Sequence, residues 1–252
     1  VLLSEPQSTA YDLRFSVAGI PVRVHPFFWI IAAWPAIEPN MPLAPFFLWV
    51  GVVFFSIVVH EMGHALAFRY FGWHSHIVLY SFGGLAVPDA AYGSARRTPQ
   101  SRMIISLAGP VAGFLFAALV VLVVVLLGYR VDFRSQFSFL DFDTRLGDWI
   151  PNPNVERMID DLLWVNILWG LINLFPVYPL DGGQFFREVL TLFNPRDGVR
   201  QSLMLSIGTA IALAVFMWVR LHSIYAAALF GYLAYTSYMT LQSLGSTRDR
   251  NW

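Results

Sequence analysis

The stretch FFSIVVHEMGHALAFRY, residues 54 to 70, sets His60, Glu61 and His64 inside an otherwise apolar run. Two histidines four residues apart on a helix share one face, so both imidazoles can reach a single zinc ion at about 2.0–2.1 Å. In this H-E-x-x-H pattern the glutamate stands beside the metal without binding it, where it can take a proton from a metal-bound water. With six His and five Glu in 252 residues, chance would produce the pattern in roughly three of a thousand such chains. The spacing is therefore informative. Ionisable groups in a membrane helix can instead serve packing, ion passage or a proton relay, a reading that suits a lone histidine better than this triplet. The chain has no cysteine, so a third ligand must be His, Asp or Glu. His25, His74, His76, His222 and the carboxylates at the ends of apolar runs are the candidates. Asp181 stands out, in NLFPVYPLDGGQ, residues 173 to 184. Pro176 and Pro179 open a helix's own hydrogen bonds, and Gly182-Gly183 allows a tight turn or close backbone approach. On local sequence alone, the plainer reading is a helix C-terminus followed by a turn. The other four histidines read as polar groups at a membrane interface, although His74-x-His76 also has the form of a metal pair.

The elements that must position these groups are membrane helices. Composition is 57% hydrophobic and 13% charged, with a mean hydropathy of +0.58, the profile of a chain dissolved in lipid. Net charge is zero and all sixteen basic residues are arginine, so no basic surface suggests nucleic acid. The opening VLLSEPQSTAYDLRF carries Glu5 and Asp12 and lacks the basic start and apolar core of a signal peptide. Insertion is expected through the chain's own helices. About 20 apolar residues span the hydrocarbon, which predicts an all-α polytopic membrane protein of about six transmembrane helices, near residues 24–42, 43–68, 103–129, 160–180, 201–219 and 221–241. The first is the weakest. The stretch between Arg69 and Arg102, with Gly83-Gly84 and Pro88, reads as a small re-entrant β-hairpin at the cytoplasmic face. With the N-terminus inside, eleven arginines fall on the inner side and five on the outer. This favours a multi-pass protein of the cell membrane with both termini cytoplasmic. The two longer loops, each about 30 residues, are too short for independent domains of about 50 or more, so residues 1–252 are expected to form one membrane domain.

The pairing of HEMGH with NLFPVYPLDGG resembles the site-2 proteases, intramembrane zinc metalloproteases of the peptidase M50 type whose signatures are H-E-x-x-H and N-x-x-P-x-x-x-L-D-G. Both motifs are complete, as His60, Glu61 and His64, then Asn173, Pro176, Leu180, Asp181 and Gly182. The resemblance extends to GIPVRVHPFF, SFGGLAV and SLAGPVAGF, and departs at Gly113, where relatives often carry Asn. It implies that His60, His64 and Asp181 bind one Zn2+ per chain, that Glu61 is the general base, and that Asn173 binds substrate or stabilises the oxyanion. Two neutral imidazoles and one carboxylate leave such a centre at +1, so ionising its water gives a neutral site that suits low dielectric. The implied activity is endoproteolysis within or near transmembrane segments of single-span membrane proteins, as in regulated intramembrane proteolysis. A zinc-binding pseudoenzyme or membrane chaperone is the competing class. The lipid bilayer is the expected surroundings, the hairpin reads equally as a docking edge for an unwound substrate and as a purely structural re-entrant element, and a regulatory membrane partner and a homodimer both remain open. The PDZ domain or CBS pair that some family members carry is not expected here.

Overall fold

The computed structural model describes residues 5–33, 42–81, 83–89, 98–132, 144 and 147–248. Alternating apolar residues in LRFSVAGIPVRV form an antiparallel hairpin of β1 (Leu13–Val17) and β2 (Ile20–Val24). Its two-residue turn is Ala18-Gly19, with φ of 50° and 75°, the left-handed pair whose twist matches the flanking strands. Positive φ is uncommon for alanine. Here Arg69 Nη1 donates to the Ala18 carbonyl at 2.8 Å and ties the turn down. β2 pairs in parallel with β3 (Ser75–Tyr80), which pairs antiparallel with β4 (Gly83–Pro88), so the sheet runs β1-β2-β3-β4.

A parallel pair needs a crossover, and here it consists of α1 (Pro26–Ala33) and α2 (Leu43–Tyr70). Ile20, Val22 and Val24 from β2 join Ile77 and Leu79 from β3 in one apolar cluster with Ile57, Val58 and Ala65 of α2. The sheet is thus seated on the helix that carries His60, Glu61 and His64. That helix stops at Gly72, whose φ of 79° lets its N–H reach Arg69 O and the Trp73 N–H reach Phe68 O, both at 3.0 Å. This glycine-closed end satisfies carbonyls that the helix leaves open.

The remaining helices are α3 (Pro99–Leu126), α4 (Pro153–Asn173), α5 (Asp181–Phe193), α6 (Gly198–Val219) and α7 (Ile224–Arg248). Two compact units divide the chain: one combines Val1–Ala95 with Ala108–Gly170, the other Arg96–Leu107 with Leu171–Trp252. In the first, a second apolar cluster forms around Ala117, Val124, Val131 and Leu163. In the second, Val177 sits among Ala210, Phe230, Leu233 and Ala234 of α6 and α7.

Among the described residues, α2, α3 and α6 are long and apolar enough to cross a membrane. Polarity is inverted relative to a water-soluble fold. Leu115, Leu119, Leu122 and Leu126 face outward along α3, while Ser56, His60, Glu61, His64, Asn166, Ser206 and Ser237 are buried. Apolar surface of that extent is stable against lipid tails, and polar groups in such helices turn inward. The protein is accordingly located in a membrane.

Two features differ from the sequence expectations, and a third is described only in part. The predicted hairpin is half of a four-stranded mixed sheet. The first expected span contains the eight-residue α1, about 12 Å of helix against a hydrocarbon core of about 30 Å; its residues 34–41 lie outside the described residues, as do Arg96, Arg97, Arg134, Arg145 and Arg250 of the charge count. The expected 160–180 span ends as helix at Asn173, and Asp181 opens a new helix, α5, rather than following a helix end in a turn.

Candidate metal centre

His60, Glu61 and His64 are all buried on α2, with relative exposures of 4%, 5% and 7%. The Nε2 atoms of the two histidines face each other at 3.3 Å. Metal–nitrogen bonds of 2.0–2.1 Å at tetrahedral angles put two ligand nitrogens about 3.3–3.4 Å apart, so this pair already has the spacing of one edge of a zinc tetrahedron. Two imidazoles at this distance could instead share a proton. The space beside them distinguishes the two arrangements.

That space is kept open by Gly109 in α3. A Cβ on this residue would fall 2.2 Å from His64 Nε2 and 2.7 Å from His60 Nε2. A position so close to both nitrogens is near where a shared ion would sit, so the missing side chain leaves a cradle of ion size. The approach of α3 also depends on Gly63, the third residue of the HEMGH motif, whose own Cβ would lie 2.3 Å from the Ala108 carbonyl oxygen. Helix backbones come this close where the residues between them are small.

Glu61 meets a different glycine. A Cβ on Gly84 of β4 would lie 2.3 Å from Glu61 Cγ and 2.5 Å from its Oε1. The strand therefore passes directly over the carboxylate side chain, made possible by a residue with no side chain of its own. The Tyr80 phenol on β3 has its pKa raised, first by burial and then by the negative charge of Glu61. Gly63, Gly84, Gly109 and Tyr80 were not singled out individually by sequence reasoning. The Gly-Gly and A-G-P stretches were visible as motifs, but a glycine gives no sign of which side chain it accommodates.

Asp181 is buried at the first turn of α5. Between Asn173 and Asp181 the chain folds back on itself. Cβ atoms on Gly182 and Gly183 would collide with the backbones of Leu174, Phe175, Val177 and Tyr178. Neither glycine has positive φ, so their role is close backbone approach rather than a turn. One ligand atom from each of His60, His64 and Asp181 lies within 4.8 Å of the other two. Two imidazole nitrogens, a carboxylate oxygen and the Gly109 cradle together fit one zinc ion, a harder match for proton sharing alone. Asn173, the last residue of α4, is also buried.

The other histidines take separate roles. His25 precedes α1, where its Nδ1 accepts from the Phe27 N–H at 3.3 Å and its ring stacks on Phe27. It acts as a cap for the helix start. His76 lies between Asp89, 2.8 Å from Nδ1, and Glu5, 3.4 Å from Nε2. With carboxylates on opposite ring nitrogens, it cannot direct both toward one ion. His222 is exposed in the α6–α7 turn. His74 follows the end of α2. Among the described residues, His60, His64 and Asp181 form the single group of three or more such donors in metal-binding proximity. Gly113, the departure from the resembling family, faces Asn166 of α4, whose Nδ2 donates to Ser56 Oγ at 2.8 Å.

Several known proteins are similar in sequence, two of them named as zinc metalloproteases. The chain is 27% identical over 213 residues to a zinc metalloprotease of Methanocaldococcus jannaschii, an alignment covering 82% of this chain and 53% of that protein. It is 29% identical over 189 residues to a putative zinc metalloprotease, Rip3, of Mycobacterium tuberculosis, covering 73% and 37% respectively. With stage IV sporulation protein FB of Bacillus subtilis it shares 24% over 203 residues, covering 79% and 58%. The chain thus spans from about a third to somewhat over half of the length of these relatives. Among solved structures, the site-2 protease from Methanocaldococcus jannaschii has the same fold, with a TM-score of 0.55 at 20% identity across 92% of this chain and 95% of that one. The profile of peptidase family M50 matches residues 48–215, a stretch that includes both sequence motifs, and the chain belongs to that family.

Proposed function

We propose that the protein is an intramembrane zinc endopeptidase, with one Zn2+ held by His60, His64 and Asp181. The observation carrying this reading is the donor set itself: two imidazole nitrogens 3.3 Å apart beside a gap that a Cβ would fill, with a carboxylate in reach. A bound zinc supplies Lewis acidity, lowering the pKa of a water toward about 7 and polarising a peptide carbonyl.

The protein's own groups do the rest. Glu61 takes the proton from the attacking water and returns it to the departing amine, which requires the carboxylate to stay where Gly84 and α2 hold it. The Asn173 amide donates to the carbonyl oxygen as negative charge develops there. Substrates are single-span membrane proteins, since His60, Glu61 and His64 lie on the apolar helix α2. His60 is nine residues from Arg69 along α2, about 13 Å of helix. A transmembrane substrate protects its peptide bonds in helical form and must unwind locally. The extended segment then pairs with β4, an edge strand of the sheet that passes Glu61 at Gly84. The physiological setting is regulated intramembrane proteolysis in the cell membrane. Six spans with both termini cytoplasmic, organised as one membrane domain, complete the proposal.

Reconstitution with a single-span substrate tests it. Wild type is expected to cleave, and Glu61→Gln to bind zinc but cleave at least about 10²-fold more slowly, as loss of a general base requires. If neither form cuts any of several substrates while both retain zinc, the chain is a zinc-binding pseudoenzyme.

A further inference from the structure

We infer that Ser206 of α6 and Ser237 of α7 are positioning residues for the metal centre, acting through the backbone of Tyr178. This rests on the reading of Asp181 as a zinc ligand.

The loop between α4 and α5 has little means of holding itself in place. Between Leu174 and Leu180, Pro176 and Pro179 have no N–H to donate. Leu174 donates to Leu171 O, Phe175 to Ile172 O, Val177 to Phe175 O and Leu180 to Val177 O, all within the same stretch of chain. The Tyr178 N–H is the exception and donates to Ser206 Oγ at 2.8 Å. Ser206 Oγ lies 2.9 Å from Ser237 Oγ, and Ser237 Oγ donates to the Tyr178 carbonyl at 3.3 Å. The proton order follows. Ser237 uses its only hydrogen on the carbonyl, so Ser206 must donate to Ser237. The relay leaves Tyr178 at its N–H, passes through both hydroxyls and returns to its C=O.

This arrangement departs from what serine and threonine ordinarily do in a helix, which is to bond a carbonyl of the preceding turn. Ser202 does so to Val199 O at 2.7 Å, and Thr236 to Leu233 O at 3.0 Å, on the same two helices. Ser206 and Ser237 are 1% and 0% exposed and turn their hydroxyls to the loop instead. Buried hydroxyls are costly without partners, so the loop and the two helices require each other. Val177 adds an apolar anchor among Ala210, Phe230 and Leu233. On the other side, Gly183 packs against the Tyr178 backbone nitrogen. Tyr178 is thus fixed three residues before Asp181, and the direction of the carboxylate is set by α6 and α7. Ser237 lies beyond the stretch matched by the M50 profile, which gives the last helix a role in the site despite carrying none of its donors.

The test uses full-length protein in detergent, with zinc affinity read by chelator competition and the visible spectrum of the Co2+-substituted form. Ser206→Ala and Ser237→Ala are each expected to weaken zinc about tenfold, the lower end of the effect of removing groups that orient a ligand, and to alter the cobalt spectrum. The double variant should be no worse than the weaker single, because one relay is broken in each case. Ser202→Ala, on the same helix and bonded only within it, should leave both readouts unchanged. Hydrogen exchange gives a second measurement: residues 174–184 should lose protection in Ser206→Ala while α6 and α7 keep theirs. Wild-type zinc affinity and spectra in both serine variants, alongside loss of zinc in Asp181→Asn, would overturn the clamp and leave the ligand reading intact. Wild-type affinity in Asp181→Asn would overturn both. Equal weakening by Ser202→Ala would show general loosening rather than positioning, and would also overturn the clamp.

Discussion

On the proposed reading, two glycines separate metal binding from proton transfer. Gly109 borders the imidazole nitrogens and Gly84 borders the Glu61 side chain, so adding one methyl group at each should damage a different function. In Gly109→Ala the methyl would occupy the space between His60 and His64, and zinc content measured on purified protein is expected to fall toward zero. In Gly84→Ala the collision is with Cγ, Cδ and Oε1 of the Glu61 side chain and not with either imidazole. Zinc content should therefore hold while the carboxylate is displaced. Cleavage is expected to fall about 10²-fold, the scale of a roughly 1 Å misplacement of a reacting group. Zinc loss in Gly84→Ala or full activity in Gly109→Ala would contradict this division. The motifs pointed to His60, Glu61 and His64 through residue type and spacing, and to Asp181 only through the family resemblance. They could not identify Gly84 or Gly109, whose roles depend on which side chain lies opposite.

At the scale of elements, apolar length alone made α2, α3 and α6 legible in the sequence. The β1–β2 hairpin was less visible because its turn is Ala18-Gly19, without the Asn-Gly or Asp-Gly signal that usually marks such turns. α5 was missed because DGGQFFREVLTLF is short and amphipathic and follows what reads as the end of a span. The hairpin is also where a pH effect should appear. Burial alone would raise the Asp12 carboxyl, but hydrogen bonds from Thr9 and Arg23 outweigh it and hold the pKa down at about 2, from 3.8. Arg23 bridges Asp12 at 2.9 Å and Glu5 at 2.8 Å. A carboxylate with a lowered folded-state pKa stabilises the fold above its unfolded value and loses that contribution as pH falls through the folded value. The wild type should thus melt at a higher temperature than Asp12→Asn above pH about 4, with the gap closing as pH falls toward about 2. A gap that is constant across this range would assign the effect to something other than the Asp12 charge.

At the scale of the whole molecule, the proposed six spans require helices of unequal quality to cross the membrane. α4 carries Glu156, Arg157, Asp160 and Asp161 in its first turns and is free of charge only from Leu162 to Asn173, about 18 Å of helix. It can cross only with those charges held at the headgroups, where snorkelling and the Arg157–Asp161 contact at 4.0 Å reduce their cost. α7 has 25 residues, about 37 Å, which is ample length, but its tyrosine, serine and threonine content keeps it below the apolar level of α2, α3 and α6. The chain's lack of cysteine allows a direct test with single cysteines at exposed loop positions and a membrane-impermeant maleimide on intact cells. Six spans with an inner N-terminus predict that Asn152→Cys and His222→Cys are labelled from outside. Ser8→Cys and Arg196→Cys should react only after permeabilisation. Outside labelling at residue 196 would mean that α4 does not cross back, because the odd span between residues 152 and 196 would be missing. Protection at residue 222, with 196 also protected, would instead mean that α6 does not cross. Labelling at residue 196 would mean that the positive-inside pattern of arginines had been outweighed by the weak apolarity of α4, whereas protection at 222 would overturn a span that composition favours.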